Sequence, residues 1–231
     1  RIHSENLTKL QENLVRSHAC GTGELVPKPI IKLMLLLKIK SLSYGHSGIQ
    51  LETVKRLIDF YNNDILPVIY TQGSLGASGD LAPLAHLALP LIGEGKVWYK
   101  GVQTPAAEVL NRFDWTPITL QSKEGLALLN GTQFMTAYGV HSLLKSFKLS
   151  YIADLVGALS LDAYNGRIEP FDHLVHLVRP HNGQIKQANR ILGFLVGSEL
   201  MNPQTNNVKD PSTFRCMPQI QGDTKDTTKL L

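Results

Sequence analysis

From Thr132 to about Tyr164 the chain runs without a proline, and Gly139 and Gly157 are its only glycines after the helix start. A mostly apolar stretch of that length reads as one helix, which at 1.5 Å per residue reaches about 50 Å. A rod this long needs other helices along its flanks, so it predicts the spine of a bundle and an all-α class. Shorter helices are expected on either side. Glu5 to Ser17 carries Leu7, Leu10 and Leu14 at helical spacing. Pro27 to Ile39 reads as a buried helix, and Leu51 to Asn62 as one opened by a capping box of Ser47 and Gln50. Further helices are expected from Leu81 to Leu89, from Thr104-Pro105 to Arg112, from Glu124 to Asn130, and from Gln184 to Val196. The exceptions are an extended run from Ile65 to Tyr70, a small peripheral hairpin around Lys100-Gly101, and a polar loop from Asn202 to Pro211. The architecture expected is an elongated helical bundle with one small β-hairpin.

Composition limits the function classes. A length of 231 residues with 43% hydrophobic content suffices for a sizeable core. The net charge of +4 comes without a block of like charges, so no nucleic-acid partner is expected. The longest apolar run, Leu33 to Leu37, falls far short of the ~20 residues of a membrane helix, and no membrane partner is expected. Cys20 and Cys216 are too few for a disulfide scaffold, which fits reduced thiols in a cytoplasmic protein. His173, His176 and His181 could suggest a metal cluster, but no acidic or thiolate ligand recurs at regular spacing, and no metal is expected.

Backbone freedom is concentrated in Gly73-Ser-Leu-Gly-Ala-Ser-Gly-Asp80, where three glycines mark a sharply turned loop. Asp80 stands where a helix N-cap belongs, and Pro83 falls in the first turn that follows. Such a loop can simply turn the chain or present an anion site at the helix entrance, although no lysine follows the last glycine as a phosphate loop requires. A second chemistry is open to Ala77-Ser78-Gly79. If the Gly79 nitrogen closes on the Ala77 carbonyl carbon and two waters leave, one of them with the Ser78 hydroxyl, a methylidene-imidazolone results. Glycine keeps the attacking nitrogen unhindered, alanine leaves the carbonyl open, and serine supplies the oxygen that is lost.

The stretch from Gly73 to His86 resembles the signature of the aromatic amino acid ammonia-lyase family, in particular its histidine-specific members. Ser17-His-Ala19, Leu37 to Ser43, Ser47-Gly-Ile49, Gly93 to Lys96, Lys123 to Gln133, and Arg215-Cys216 with Pro218-Gln219 recur in the family's order. The resemblance implies a 4-methylidene-imidazol-5-one formed from Ala77, Ser78 and Gly79, with Asp80 beside it and no metal or nucleotide. It implies substrate contacts at His18, Asn130 and Arg215. From the residues alone, His18 reads as a helix C-terminal histidine favoured by the dipole, and Asn130, before Gly131, as a turn residue. A guanidinium at Arg215 can bond both oxygens of a carboxylate. Two positions depart from the pattern: Lys209 stands where the family has glutamine, and Ser212 where it has tyrosine.

The resemblance thus implies elimination of ammonia from an aromatic amino acid, L-histidine to urocanate before others, by a homotetramer. It also implies a fragment: family chains are longer, with a catalytic tyrosine loop upstream of Arg1 and long helices beyond Leu231, so these residues alone are expected to be inactive. Positions 1–130 are expected to carry the electrophile and 131–231 to begin the central bundle, in one continuous domain. Tyrosine ammonia-lyase and aminomutase activities share the electrophile. A non-catalytic assembly module is the alternative of another class, motivated by Lys209 and Ser212.

Overall fold

The computed structural model describes residues 6–200 and 208–230. Glu5 and positions 202–207 of the expected polar loop lie outside the described residues. The chain forms two compact units, Arg1–His141 and Ser142–Leu231, and helices dominate both.

In the first unit α1 (Leu7–His18) buries Gln11 and Val15 with Leu14 packed beside them, whereas Leu10 of the expected leucine face is exposed, and β1 (Thr22–Leu25) follows. Helix α2 (Lys28–Ser43) buries Ile30, Ile31, Met34, Leu35, Lys38 and Leu42, a set of neighbours three and four apart that includes one cation. Helix α3 (Leu51–Asn62) starts where the sequence places it, but no capping box forms, because the Gln50 side chain donates instead to Glu124 and to the Thr119 carbonyl. The buried Glu124 carboxylate also accepts from Gln50 N–H at 2.9 Å and Thr53 Oγ at 3.0 Å. A carboxylate at a helix N-terminus binds those amides more strongly than a neutral hydroxyl does, so it takes over the capping role.

The extended run after α3 splits into β2 (Leu66–Pro67) and β3 (Tyr70–Gln72). Strand β3 pairs antiparallel with β1, with Thr22 opposite Gln72 and Leu25 opposite Tyr70. Helix α4 (Leu81–Ala88) ends in a 3-10 turn, Leu89–Ile92. The expected hairpin is present as β4 (Lys96–Tyr99) and β5 (Val102–Pro105), turning through Lys100 and Gly101 at φ of 48° and 85°. It is not peripheral, however. Strand β4 also pairs with β2, and Val97 is buried in the core. Helices α5 (Ala106–Arg112) and α6 (Glu124–Leu129) complete the cluster around Leu57, Phe60, Leu84, Leu91, Leu110 and Leu128. Each such side chain contributes about 1.5–3 kcal/mol on full burial.

The long helix α7 spans Gln133–Ala163, 31 residues, and its numbering runs through the boundary between the units. The second unit also holds α8 (His173–Leu177), which packs on α9 (Asn182–Leu195), and α10 (Ser212–Arg215), which packs on α11 (Met217–Thr228). Ala158, Leu161, Phe171, Ala188, Ile191 and Met217 form the core. Helices α9 and α11 approach closely because Gly183 and Gly222 face each other without side chains. The fully buried Asp154 of α7 accepts from Arg190 of α9 at 2.5 Å and Lys225 of α11 at 2.7 Å, tying the three helices together. His173 and His176 do not converge: His176 is buried against Gln184 and His173 is exposed.

Candidate active site

Pairing of β1 with β3 lays the turn that follows His18 beside the loop that follows Gln72. Gly73 makes this possible, since a Cβ there would stand 3.1 Å from the Gly21 Cα and 3.2 Å from the Ala82 Cβ. Its φ of 130° is also one that residues with side chains avoid. His86 of α4 ties the same turn down: the Gly21 N–H donates to Nε2 of the ring at 3.0 Å. That bond requires a neutral ring with its proton on Nδ1. Burial lowers the His86 pKa below the ordinary histidine value and so favours the same form.

The decisive contact is made by Gly79. It pairs with Gly131 in a single parallel bridge, and the Asp80 N–H donates to the Gly131 carbonyl at 2.8 Å. A Cβ on Gly79 would strike the Gly131 carbonyl oxygen and stand 3.1 Å from its nitrogen, while φ at Gly79 is 98°. Ala77 and Ser78 just before it are exposed. The loop therefore presents its first two tripeptide residues outward and clamps the third against a neighbouring backbone.

Asp80 occupies the N-cap position of α4, but its side chain does not cap that helix. Its carboxylate, 1% exposed, accepts from Ser74 Oγ at 3.0 Å and from the Met135 N–H at 3.0 Å. Met135 lies in the first turn of α7, so the carboxylate sits at the positive end of the longest helix and closes the glycine loop upon it.

His18 donates from Nδ1 to the Leu14 carbonyl at 2.8 Å, which fixes its tautomer and leaves the Nε2 lone pair free to accept. Asn130 is exposed at the end of α6 and directly precedes Gly131. Two residues that sequence reading did not single out hold this segment. Glu124 anchors the start of α6 through its bonds to Gln50, Thr53 and the Gln121 N–H. Lys38, 1% exposed, donates from Nζ to the Asn130 carbonyl at 2.7 Å. A signal for the second was present, for Lys38 is a cation inside the apolar run Leu33 to Ile39.

Arg215, Lys209 and Ser212 belong to the second unit. Ser212 and Arg215 bound the single turn of α10, Lys209 is exposed, and Arg215 is half-buried, its Nε having no hydrogen-bond partner among the described residues. Asp210 pins the segment by accepting from the Arg167 N–H at 2.6 Å, and Phe214 stacks on Tyr164 with ring centres 4.8 Å apart. Among the described residues no group of three or more His, Cys, Asp or Glu side chains is placed to hold a metal ion.

Comparison with known proteins gives this geometry its context. Residues 1–231 match the family model described as aromatic amino acid lyase. The chain belongs to that family. It is 49% identical over 223 residues to a histidine ammonia-lyase of Staphylococcus aureus, covering 96% of this chain and 44% of the relative. A histidine ammonia-lyase of Streptococcus pyogenes is 44% identical over 227 residues, covering 98% of this chain and 44% of the relative. The crystal structure of histidine ammonia-lyase from Trypanosoma cruzi superposes with a TM-score of 0.88 at 36% identity, covering 99% of this chain and 43% of that one. This lyase chain thus spans less than half the length of the relatives it matches.

Proposed function

We propose that the full-length protein eliminates ammonia from an aromatic L-amino acid, with L-histidine, converted to urocanate, as its preferred substrate. The observation that carries this reading is the seat of Gly79 on Gly131, with Ala77 and Ser78 exposed before it and the buried Asp80 after it. Ring closure within Ala77-Ser78-Gly79 needs a sharp turn and a third residue without a Cβ, and positive φ at Gly76 and Gly79 supplies the turn. These residues therefore fit a methylidene-imidazolone, which would supply an electrophile for the substrate amine.

The chain's other residues bind and orient. The free Nε2 lone pair of His18 can accept from a ring N–H or a phenol O–H, but a phenyl ring has no donor to offer it. The Asn130 amide, on the segment that seats Gly79, can hold either the prosthetic group or the substrate. Arg215 is the candidate partner of the substrate carboxylate, with Lys209 as a second cation on the same segment. The base for the β-proton would be a tyrosine from outside these residues. The preference for histidine draws its support from the relatives, each a histidine ammonia-lyase. A cytoplasmic homotetramer belongs to the same proposal.

An intact-mass measurement on the full-length protein tests the carrying observation: the mass should lie two waters below that encoded, and Ser78→Ala should restore the encoded value. Ammonia release from L-histidine, L-tyrosine and L-phenylalanine then assigns the substrate. His18→Leu should cut activity on the first two and spare or raise it on the third. A folded full-length protein at its full encoded mass would overturn the enzymatic reading in favour of an assembly module.

A further inference from the structure

Lys38 is a buried cation without a counter-ion. Among the described residues no carboxylate lies within ion-pair distance of its Nζ, and its one hydrogen-bond partner is the Asn130 carbonyl oxygen, 2.7 Å away. Met34 and Leu42, one turn to either side on α2, are fully buried apolar residues, and burial lowers the ammonium pKa to about 8. An apolar side chain of similar length would cost less at such a position, since an unpaired buried charge is among the more destabilising features a core can hold. Packing alone therefore gives no reason for a lysine.

The position of the acceptor supplies one. Asn130 and Gly131 share a peptide unit, and Gly131 is the residue on which Gly79 is seated and to which Asp80 donates. We infer that Lys38 is a positioning residue for the prosthetic group: by holding the Asn130 carbonyl it fixes the Asn130–Gly131 backbone as the template on which the Ala77-Ser78-Gly79 loop cyclises. The inference rests on the proposed methylidene-imidazolone. The chemistry it serves is balanced within the chain: the Gly79 nitrogen bonds to the Ala77 carbonyl carbon, the carbonyl oxygen leaves as water with the Gly79 and Ser78 amide protons, and the Ser78 hydroxyl leaves as a second water with the Ser78 Cα proton, with no external oxidant or reductant.

The test uses full-length protein and reads intact mass and thermal stability together, on wild type, Lys38→Met and Lys38→Arg. Lys38→Met should melt no lower than wild type, because an apolar chain replaces an unpaired charge, yet most of its chains should keep the full encoded mass. Lys38→Arg, which can reach the same carbonyl with a charged donor, should recover the loss of two waters. A Lys38→Met protein as fully dehydrated as wild type would overturn the positioning role while leaving the lyase reading intact. Wild type without the mass deficit would overturn the lyase reading, and this inference with it. Should Lys38→Met fail to fold, Lys38→Leu takes its place: a folded chain as fully dehydrated as wild type overturns the inference, and a folded chain at the encoded mass supports it.

Discussion

At the scale of single residues, the site depends on what is absent from Gly79 and on what is neutral at His86. Gly79→Ala would force a Cβ against the Gly131 carbonyl at a φ of 98°, a conformation that costs a residue with a side chain of order 1–3 kcal/mol. The variant should unfold at correspondingly lower denaturant and should show no loss of water by mass. His86 gives a pH dependence. Its folded pKa is lowered, so between that value and the ordinary 6.5 the unfolded chain binds the proton more readily. Its contribution to stability is then complete above about pH 6.5 and falls as the medium is acidified below that value. His86→Gln keeps an acceptor for the Gly21 N–H and removes the titration, so the acid-side loss of melting temperature should shrink. It should not vanish, because burial lowers the His176 pKa in the same direction.

At the scale of elements, close approach is bought with glycine and fixed with buried charge. Helices α9 and α11 meet where a Cβ on Gly222 would stand 2.5 Å from the Gln184 backbone. Gly222→Ala should therefore push the pair apart, costing about 1–3 kcal/mol, read as a lower midpoint in thermal unfolding followed by circular dichroism. The loop–α4 junction shows a different economy. Asp80 leaves α4 without a side-chain cap and serves Ser74 and α7 instead, while Glu124 caps α3 from a distance in sequence of more than seventy residues. Both substitutions of partner follow the same rule: a buried carboxylate goes where the most N–H and O–H donors converge.

At the scale of the molecule, α7 carries more apolar surface than its described neighbours cover. Leu144, Leu149, Val156 and Leu159 are each more than half exposed, and at 3.6 residues per turn they share one broad face, away from the buried Ala158 and Leu161, so the helix is apolar on both sides. A helix apolar on all sides is normally enclosed on all sides, and exposed surface of this kind associates. The 231-residue chain by itself should sediment as a self-associated species, and Leu149→Lys with Val156→Lys should return it towards the monomer. A wild-type chain that stays monomeric at high concentration would show that this surface is tolerated in water.

The sequence by itself determined the long helix, most helices of the first unit and the chemistry-bearing loop, while β1, α8, α10 and α11 were not among the elements expected from it. Helix α3 begins and ends at the expected residues, α7 differs from expectation by a residue at each end, and the hairpin turns at Lys100-Gly101 as expected. These are matters of local pattern, written in periodicity, breakers and turn residues. Only the tertiary structure decided the partners. That β1 pairs with β3, that β4 is a central strand, that Asp80 turns away from its own helix, and that Lys38 meets Asn130 are contacts between residues far apart along the chain. No periodicity encodes them, because a buried carboxylate or ammonium takes whichever donor or acceptor the packed fold brings within about 3 Å, and neighbours in sequence are seldom the ones it brings.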